Sequence, residues 1–278
     1  MNDSFEITCT PIVKVIRVYP SVNILKRMFK VVYRLTDFKE NINEVFTTDE
    51  KVEKFLITIL ERGHTSVLEF INVLWYTECS RVASHQIVRH RIASFWQESQ
   101  RYRKPCKAIV PRTVLNNIEL RGFIEESFRI YNKYVENCKD FGEDVKELYR
   151  YVLTNAIATR LFVQMNLREL IESFLGLRMC RRAQPETRYI AYKLCYKLFI
   201  KDEENRNKPH FEHFGRILIN YVPRCRRFRR CLEYGFSDPE KIRKCISAGI
   251  VEAIKEHGTE RELEDIDNII RNILQEQN

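Results

Sequence analysis

Residues 86–102 read Gln-Ile-Val-Arg-His-Arg-Ile-Ala-Ser-Phe-Trp-Gln-Glu-Ser-Gln-Arg-Tyr, and no other stretch constrains the chain so strongly. Arg89, His90 and Arg91 form a block, Ser99 stands after seven intervening residues, and Arg101 follows. The first part predicts the end of a helix, with Val82, Ala83, Ile87 and Val88 as an intermittent apolar face and Ser80 as N-cap. On that helix Gln86 and Arg89 are three apart, so an amide and a guanidinium point at one object. After Ala93 the pattern turns extended, and a period of two puts Ser99 and Arg101 on one side with Gln100 facing away. A hydroxyl, an amide and several guanidiniums converging in this way suit a phosphorylated, planar ligand, because guanidinium binds phosphate bidentately and stacks on flat rings. The alternative is a solvated basic helix end followed by a surface strand. Against it stand the neighbours Ser94, Phe95, Trp96 and Tyr102, which are aromatic or small.

At 278 residues, 44% hydrophobic and 31% charged, the composition is that of a globular protein with one large domain or a domain plus an appendage. No run approaches the roughly 18 apolar residues of a membrane span. The N-terminus lacks a basic-then-apolar leader, so a cytoplasmic location is expected. A net charge of +9 favours anionic partners, nucleic acid and phosphorylated small molecules alike. The nine cysteines include no Cys-x-x-Cys pair, which argues against a zinc ribbon or a thioredoxin-like site. Most are expected to be buried thiols, and no metal site is expected.

Along the chain, residues 6–19 are β-branched and partly alternating and predict a strand. Residues 25–35 fit helix or strand, and residues 49–62 an amphipathic helix with Gly63 as its stop. Gly63-His-Thr-Ser66-Val-Leu-Glu69 then runs into an apolar strand from Ile71 to Tyr76, the arrangement of a ligand loop. Pro105 and Pro111 bracket a short extended piece. A helix is predicted over 120–138, with Phe123, Ser127, Ile130, Tyr131 and Tyr134 on one face, then a second helix carrying Arg150 near its end. Residues 159–165 are strand-like. Asn166 is the expected N-cap of a helix through Leu177, with Glu169 in the capping-box position. Another helix spans 183–200, with Pro185 in its first turn. Residues 224–230 form a very basic loop, and two short helices broken at Gly258 complete the chain. The stripe Leu263, Ile266, Ile269, Ile270 and Leu274 reads as core or a subunit contact.

The spacing of Arg89-His90-Arg91, Ser99 and Arg101-Tyr102 resembles the signature of the flavin-dependent thymidylate synthases. Other segments fall in that family's order: Gly63-His-Thr-Ser66-x-x-Glu69, Asn166-Leu-Arg168 followed by Phe174-Leu-x-Leu-Arg178, and Ala183-Gln184-x-Glu186. Pro223-x-Cys225 with Cys231-x-Glu233 echoes the family's C-terminal end. The resemblance covers roughly residues 30–235 and implies an α+β fold with helices packed on a central antiparallel sheet. Residues 1–235 would then be the family domain and 236–278 a helical C-terminal appendage.

The resemblance also implies reductive methylation of dUMP to dTMP. Methylenetetrahydrofolate would donate the carbon, and FAD reduced by NADPH the hydride, without a cysteine nucleophile. Carried over by position, Gln86, Arg89, Gln97, Ser99, Arg101, Arg150 and Arg178 would hold dUMP, and Arg178 would be catalytic through its action on the uracil ring. Ser66, Glu69, Arg89, His90, Arg91, Gln97, Asn166 and Arg168 would contact FAD, with Thr36 a further candidate. A homotetramer with shared active sites is implied, and nucleic acid is not an expected partner. The chain departs from the pattern at Phe70, Trp96, Thr154 and Pro185, and one residue is inserted between Asn166 and Arg178. These departures, with the basic run 224–230 and its Phe228, leave an alternative: an inactive nucleotide- or nucleic-acid-binding paralogue on the same scaffold.

Overall fold

The structure is a computed structural model that describes residues 5–20, 62–137, 144–206, 208–211 and 213–275, with single helical positions at 24, 28, 31 and 58. The segments expected at 25–35 and 49–62 fall almost wholly outside the described residues, as does Thr36. Four strands make the central antiparallel sheet in the order β2 (Ile12–Tyr19), β3 (Asn72–Ser80), β6 (Ala158–Asn166), β4 (Ala93–Gln97). A parallel pair, β1 (Glu6–Thr8) with β5 (Lys107–Ile109), lies apart from it. The expected α+β architecture is therefore the observed one. The single strand expected over 6–19 is not: it splits into β1 and β2, which pair with different partners on either side of Pro11. Proline has no N–H for a ladder, so the chain changes sheets there.

Period-two alternation decides which face of the sheet is buried. Val73, Trp75, Leu161, Val163 and Met165 are buried on one face, and Trp75 sits opposite Val163 across the β3–β6 ladder. The other face carries Trp96 and Phe162, with ring centroids 6.0 Å apart.

Helix α1 (Arg81–Ile87) follows β3 without a linker, because Ser80 is both the last strand residue and the N-cap, its Oγ accepting from Ala83 N–H. Of its expected apolar face, Ala83 and Ile87 are buried while Val82 is exposed. Helix α2 (Ile118–Asn137) buries Ile124, Phe128 and Tyr131, whereas Phe123 and Tyr134 are exposed, so its inner face is rotated from the one expected. Asn166 ends β6 in the same way as Ser80 ends β3, accepting from Glu169 N–H. Helix α3 then covers 167–178, and its middle section, Leu170–Leu175, is π-helical. A π turn takes an extra residue into a helix, and this section lies between Asn166 and Arg178, where the resemblance implies an insertion.

Helix α4 (Pro185–Phe199) is buried along most of its length, with Pro185 in its first turn as expected. The C-terminal part is one 19-residue helix, α5 (Pro239–His257), a short turn of helix at Glu260–Glu264, and α6 (Ile266–Leu274). Ile242, Ile246, Ile250, Ile254, Ile269 and Ile273 join the same hydrophobic cluster as α4 and the sheet. The expected stripe on the last helix is thus core. The eight described cysteines are free thiols.

Glu262 fastens this C-terminal unit. It closes a capping box with Thr259, and its carboxylate accepts from Tyr189 Oη at 2.8 Å, Tyr192 Oη at 2.7 Å and Lys193 Nζ at 2.7 Å. Burial raises its pKa, but Lys193 and the converging donors outweigh that and hold it at about 2. A carboxyl depressed on folding stabilises above its unfolded pKa and loses that contribution as pH falls through the folded value. Glu262→Gln is therefore expected to be less stable than the parent at neutral pH. The gap should narrow as pH falls from the usual 4.5 towards about 2. Thermal unfolding of both proteins across that range checks this, and a gap independent of pH refutes it.

Candidate active site

The segment 86–90 and α3 meet at Arg178, the last residue of α3. Its Nε donates to His90 Nε2 at 3.1 Å, Nη1 to Gln86 Oε1 at 3.0 Å, and Nη2 to the Gln86 carbonyl at 3.0 Å. Arginine carries five N–H donors, so one remains on each terminal nitrogen. Burial first, and the neighbouring Arg89 cation second, lower the Arg178 pKa from its ordinary value. All three acceptors are neutral. Among the described residues, the guanidinium is thus a half-buried charge with two unspent donors.

His90 is buried, and its Nδ1 lies 3.0 Å from Ser173 Oγ and 3.5 Å from Glu169 Oε1. Its ring meets Phe174 edge-on at 5.2 Å. Burial, with the cations of Arg178 and Arg224, holds the imidazole at about 4 and hence neutral near pH 7. Arg89 and Arg91 are exposed on either side of it.

A second layer runs along α3. Glu172 accepts from Thr65 Oγ1 at 2.7 Å, Arg227 Nη1 at 2.7 Å and Arg168 Nε at 3.2 Å. Burial opposes its ionisation, but these hydrogen bonds lower its pKa overall. Arg168 also pairs with Glu69 on the helical turn Ser66–Phe70, so the loop expected to bind a ligand is tied to α3. Ser66 is exposed on that turn. Asn166 spends its side-chain oxygen on the helix cap.

The remaining expected residues have other partners. Ser99 and Arg101 do not continue β4 on one side, because the strand ends at Gln97 and Ser99–Arg103 is a turn in which Ser99 Oγ accepts from Arg101 N–H. Arg101 Nε lies 2.9 Å from Glu147 Oε2, and Arg150 Nη2 is 3.5 Å from Glu147 Oε1. Gln97 Nε2 donates to Ser84 Oγ and Thr159 Oγ1 at 3.3 and 3.2 Å. The chain thus brings Gln86, Arg89, His90 and Arg178 together, and joins Arg101 and Arg150 through Glu147.

The basic run 224–230 is a short helix, Arg224–Phe228, rather than a loop. Arg224 Nε donates to the Glu172 carbonyl, Arg226 to the carbonyls of Ile219 and Ile273, and Arg227 to Glu172. Three of the run's five arginines thereby donate within the protein, while Arg229 and Arg230 are exposed. Among the described residues, no three His, Cys, Asp or Glu side chains are placed to hold a metal ion. No described helix is long and apolar enough to cross a membrane.

Sequence reasoning placed Glu169 only as a cap residue and gave no role to Glu172, Arg224 or Glu186. Glu169 and Ser173 are four apart on one helix, a spacing that could have suggested a shared target. Glu186 is fully buried and accepts from Ser80 N–H at 2.7 Å and Ser80 Oγ at 2.5 Å. It thereby fixes the start of α1, the helix that presents Gln86. Burial pushes this carboxyl to about 7 despite the Ser80 hydrogen bonds. Glu186→Ala leaves two buried donors unpaired and is expected to cost about 1–3 kcal/mol of stability for each group stranded. Ser80→Ala should then cost less in the Glu186→Ala background than in the parent. Additive losses in denaturant titrations of the four proteins would show the pair to be uncoupled.

The family model for thymidylate synthase complementing protein matches residues 14–201. A flavin-dependent thymidylate synthase of Thermococcus onnurineus is 37% identical over 195 residues, covering 66% of this chain and 74% of the relative. One from Pyrococcus furiosus is 35% identical over 216 residues, covering 71% of this chain and 80% of the relative. Among solved structures, the UMP/dUMP methylase PolB from Streptomyces cacaoi, bound with 5-Br dUMP, aligns over 79% of this chain and 99% of its own with a TM-score of 0.60. At 16% identity that likeness is one of fold. With the family model spanning more than half of its length and the signature arginines in place, the chain belongs to the flavin-dependent thymidylate synthases.

Proposed function

We propose that this protein catalyses the reductive methylation of dUMP to dTMP, with methylenetetrahydrofolate as carbon donor, FAD as cofactor and NADPH as reductant. The observation that carries this reading is the Arg178 guanidinium, fixed by Gln86 and His90 with two donors left over. The uracil ring accepts hydride poorly until the charge accumulating on its oxygens is stabilised. A guanidinium aimed there from a half-buried position supplies that stabilisation, and losing one such aimed donor costs roughly 3–4 kcal/mol of barrier. Arg89 stands beside Arg178, suited to the same nucleotide. Ser99, Arg101 and Arg150 hold its phosphate, which serves positioning more than chemistry.

The residues present fit a flavin nucleotide. Arg89, Arg91, Arg168 and Ser66 are exposed or partly exposed near the end of α1 and beside α3, a donor set matched to a pyrophosphate. Asn166, Gln97 and Glu69 complete the proposed cofactor contacts. When bound, FAD carries hydride from the nicotinamide to the pyrimidine. Arg101 and Arg150 pair with Glu147, while Arg178 is held by Gln86 and His90. Membership of the family supports a homotetramer in which subunits share each active site. We place the protein in the cytoplasm and read residues 236–278 as a helical addition to the catalytic domain, 1–235.

Purified protein is expected to be yellow, to release FAD on denaturation, and to form dTMP from dUMP when given methylenetetrahydrofolate and NADPH. A colourless protein that takes up neither FAD nor dUMP overturns the proposal. Arg178→Lys should lower turnover by about 100-fold or more with flavin content unchanged, because an ammonium cannot reproduce the planar fork. Undiminished turnover would remove Arg178 from the chemistry.

A further inference from the structure

His90 stands in the signature block, where the resemblance gives it to the flavin, yet its surroundings point inward. It is 5% exposed, and both ring nitrogens are engaged by protein atoms. Arginine Nε can only donate, so the 3.1 Å contact requires His90 Nε2 to be the unprotonated acceptor. The ring proton then sits on Nδ1, facing Ser173 Oγ at 3.0 Å and Glu169 Oε1 at 3.5 Å. Those two residues are one α3 spacing apart, and they select the tautomer that Arg178 needs.

We propose that His90 is a positioning residue: neutral and buried, it clamps the inner edge of the Arg178 guanidinium so that the two unspent N–H donors point at the substrate. This rests on the function proposed above and deepens it. The clamp has three parts, each with a separate task. Gln86 fixes both terminal nitrogens through its amide oxygen and its carbonyl. His90 fixes Nε and so removes the remaining rotation of the group. Ser173 and Glu169 fix His90.

Neutrality is part of the design. A second positive charge beside Arg178 would be repelled by it and by Arg224. A charged imidazole would also donate from Nε2 and could not accept from Arg178. A carboxylate in the same place would accept, but it would neutralise the guanidinium that the ring charge is meant to meet.

Amide geometry separates this role from a cofactor contact. The amide of glutamine reaches the position of imidazole Nε2, and that of asparagine reaches Nδ1. His90→Gln therefore keeps an acceptor for Arg178, while His90→Asn keeps only the Ser173 side. The two variants and the parent are purified as holoenzyme, and kcat, KM for dUMP, FAD per subunit and Tm are measured.

His90→Asn is expected to lose about 10- to 100-fold in kcat, the scale of one hydrogen bond to a charged group. Flavin content and Tm should stay close to the parent. His90→Gln should recover most of the lost kcat. Equal loss of FAD from both variants, without recovery by glutamine, overturns the role and returns His90 to the cofactor. Losses that follow Tm in both variants reduce it to a folding residue and overturn it equally. A parent protein that forms no dTMP fails the function proposed above before any variant is read. An active parent with an unimpaired His90→Asn fails the positioning role alone.

Discussion

The site depends on holding a buried cation with neutral partners. Arg178 meets an amide oxygen, a carbonyl oxygen and an imidazole nitrogen, and none of these cancels its charge. A carboxylate partner would give a stronger pair in isolation. It would also leave little unbalanced charge for a substrate whose ring becomes negative during reaction. Neutral acceptors orient the group while its field stays directed at whatever lies beyond the two free donors. Burial strengthens that field, since charges interact more strongly away from bulk water.

The carboxylates of α3 are correspondingly engaged elsewhere. Glu172 is taken up by Thr65, Arg168 and Arg227, and Glu169 faces the far nitrogen of His90. The π-helical section Leu170–Leu175 lies between the cap at Asn166 and the guanidinium at Arg178. Without it, an inserted residue would rotate everything beyond by about 100°, the turn per residue of an α-helix at 3.6 residues per turn. Arg178 would then face away from Gln86. A wider turn accommodates one more residue without that rotation.

Much of this was legible locally. Ser80 and Asn166 are cap residues at strand-to-helix junctions, Pro185 opens a helix, and alternation marks β3 and β6. Each of these follows from a residue and its near neighbours. What escaped depends on distant partners. Nothing near Arg101 announces Glu147, with which it pairs, and nothing near Arg224 announces the carbonyl of Glu172. A run of five arginines looks like a solvated patch until the acceptors that take up Arg224, Arg226 and Arg227 are in place. The division of residues 6–19 was hidden for the same reason: alternation shows that a segment can pair, but not with which strand.

The C-terminal helices reach the site through α4. Glu262 grips Tyr189, Tyr192 and Lys193 near the middle of that helix, and Glu186 at its start grips Ser80. Ser80 begins α1, and Gln86 near its other end orients Arg178. β3 and β6 are antiparallel and nine residues long, so each spans about 30 Å, and α1 and α3 leave the sheet at opposite ends. Helices of about 10 and 18 Å cover most of that distance, and the Arg178 side chain spans the rest to reach Gln86. A small displacement of α4 would therefore be passed to Gln86 through one buried carboxylate. Glu262 thus joins the C-terminal unit to α4, and Glu186 joins α4 to the start of α1.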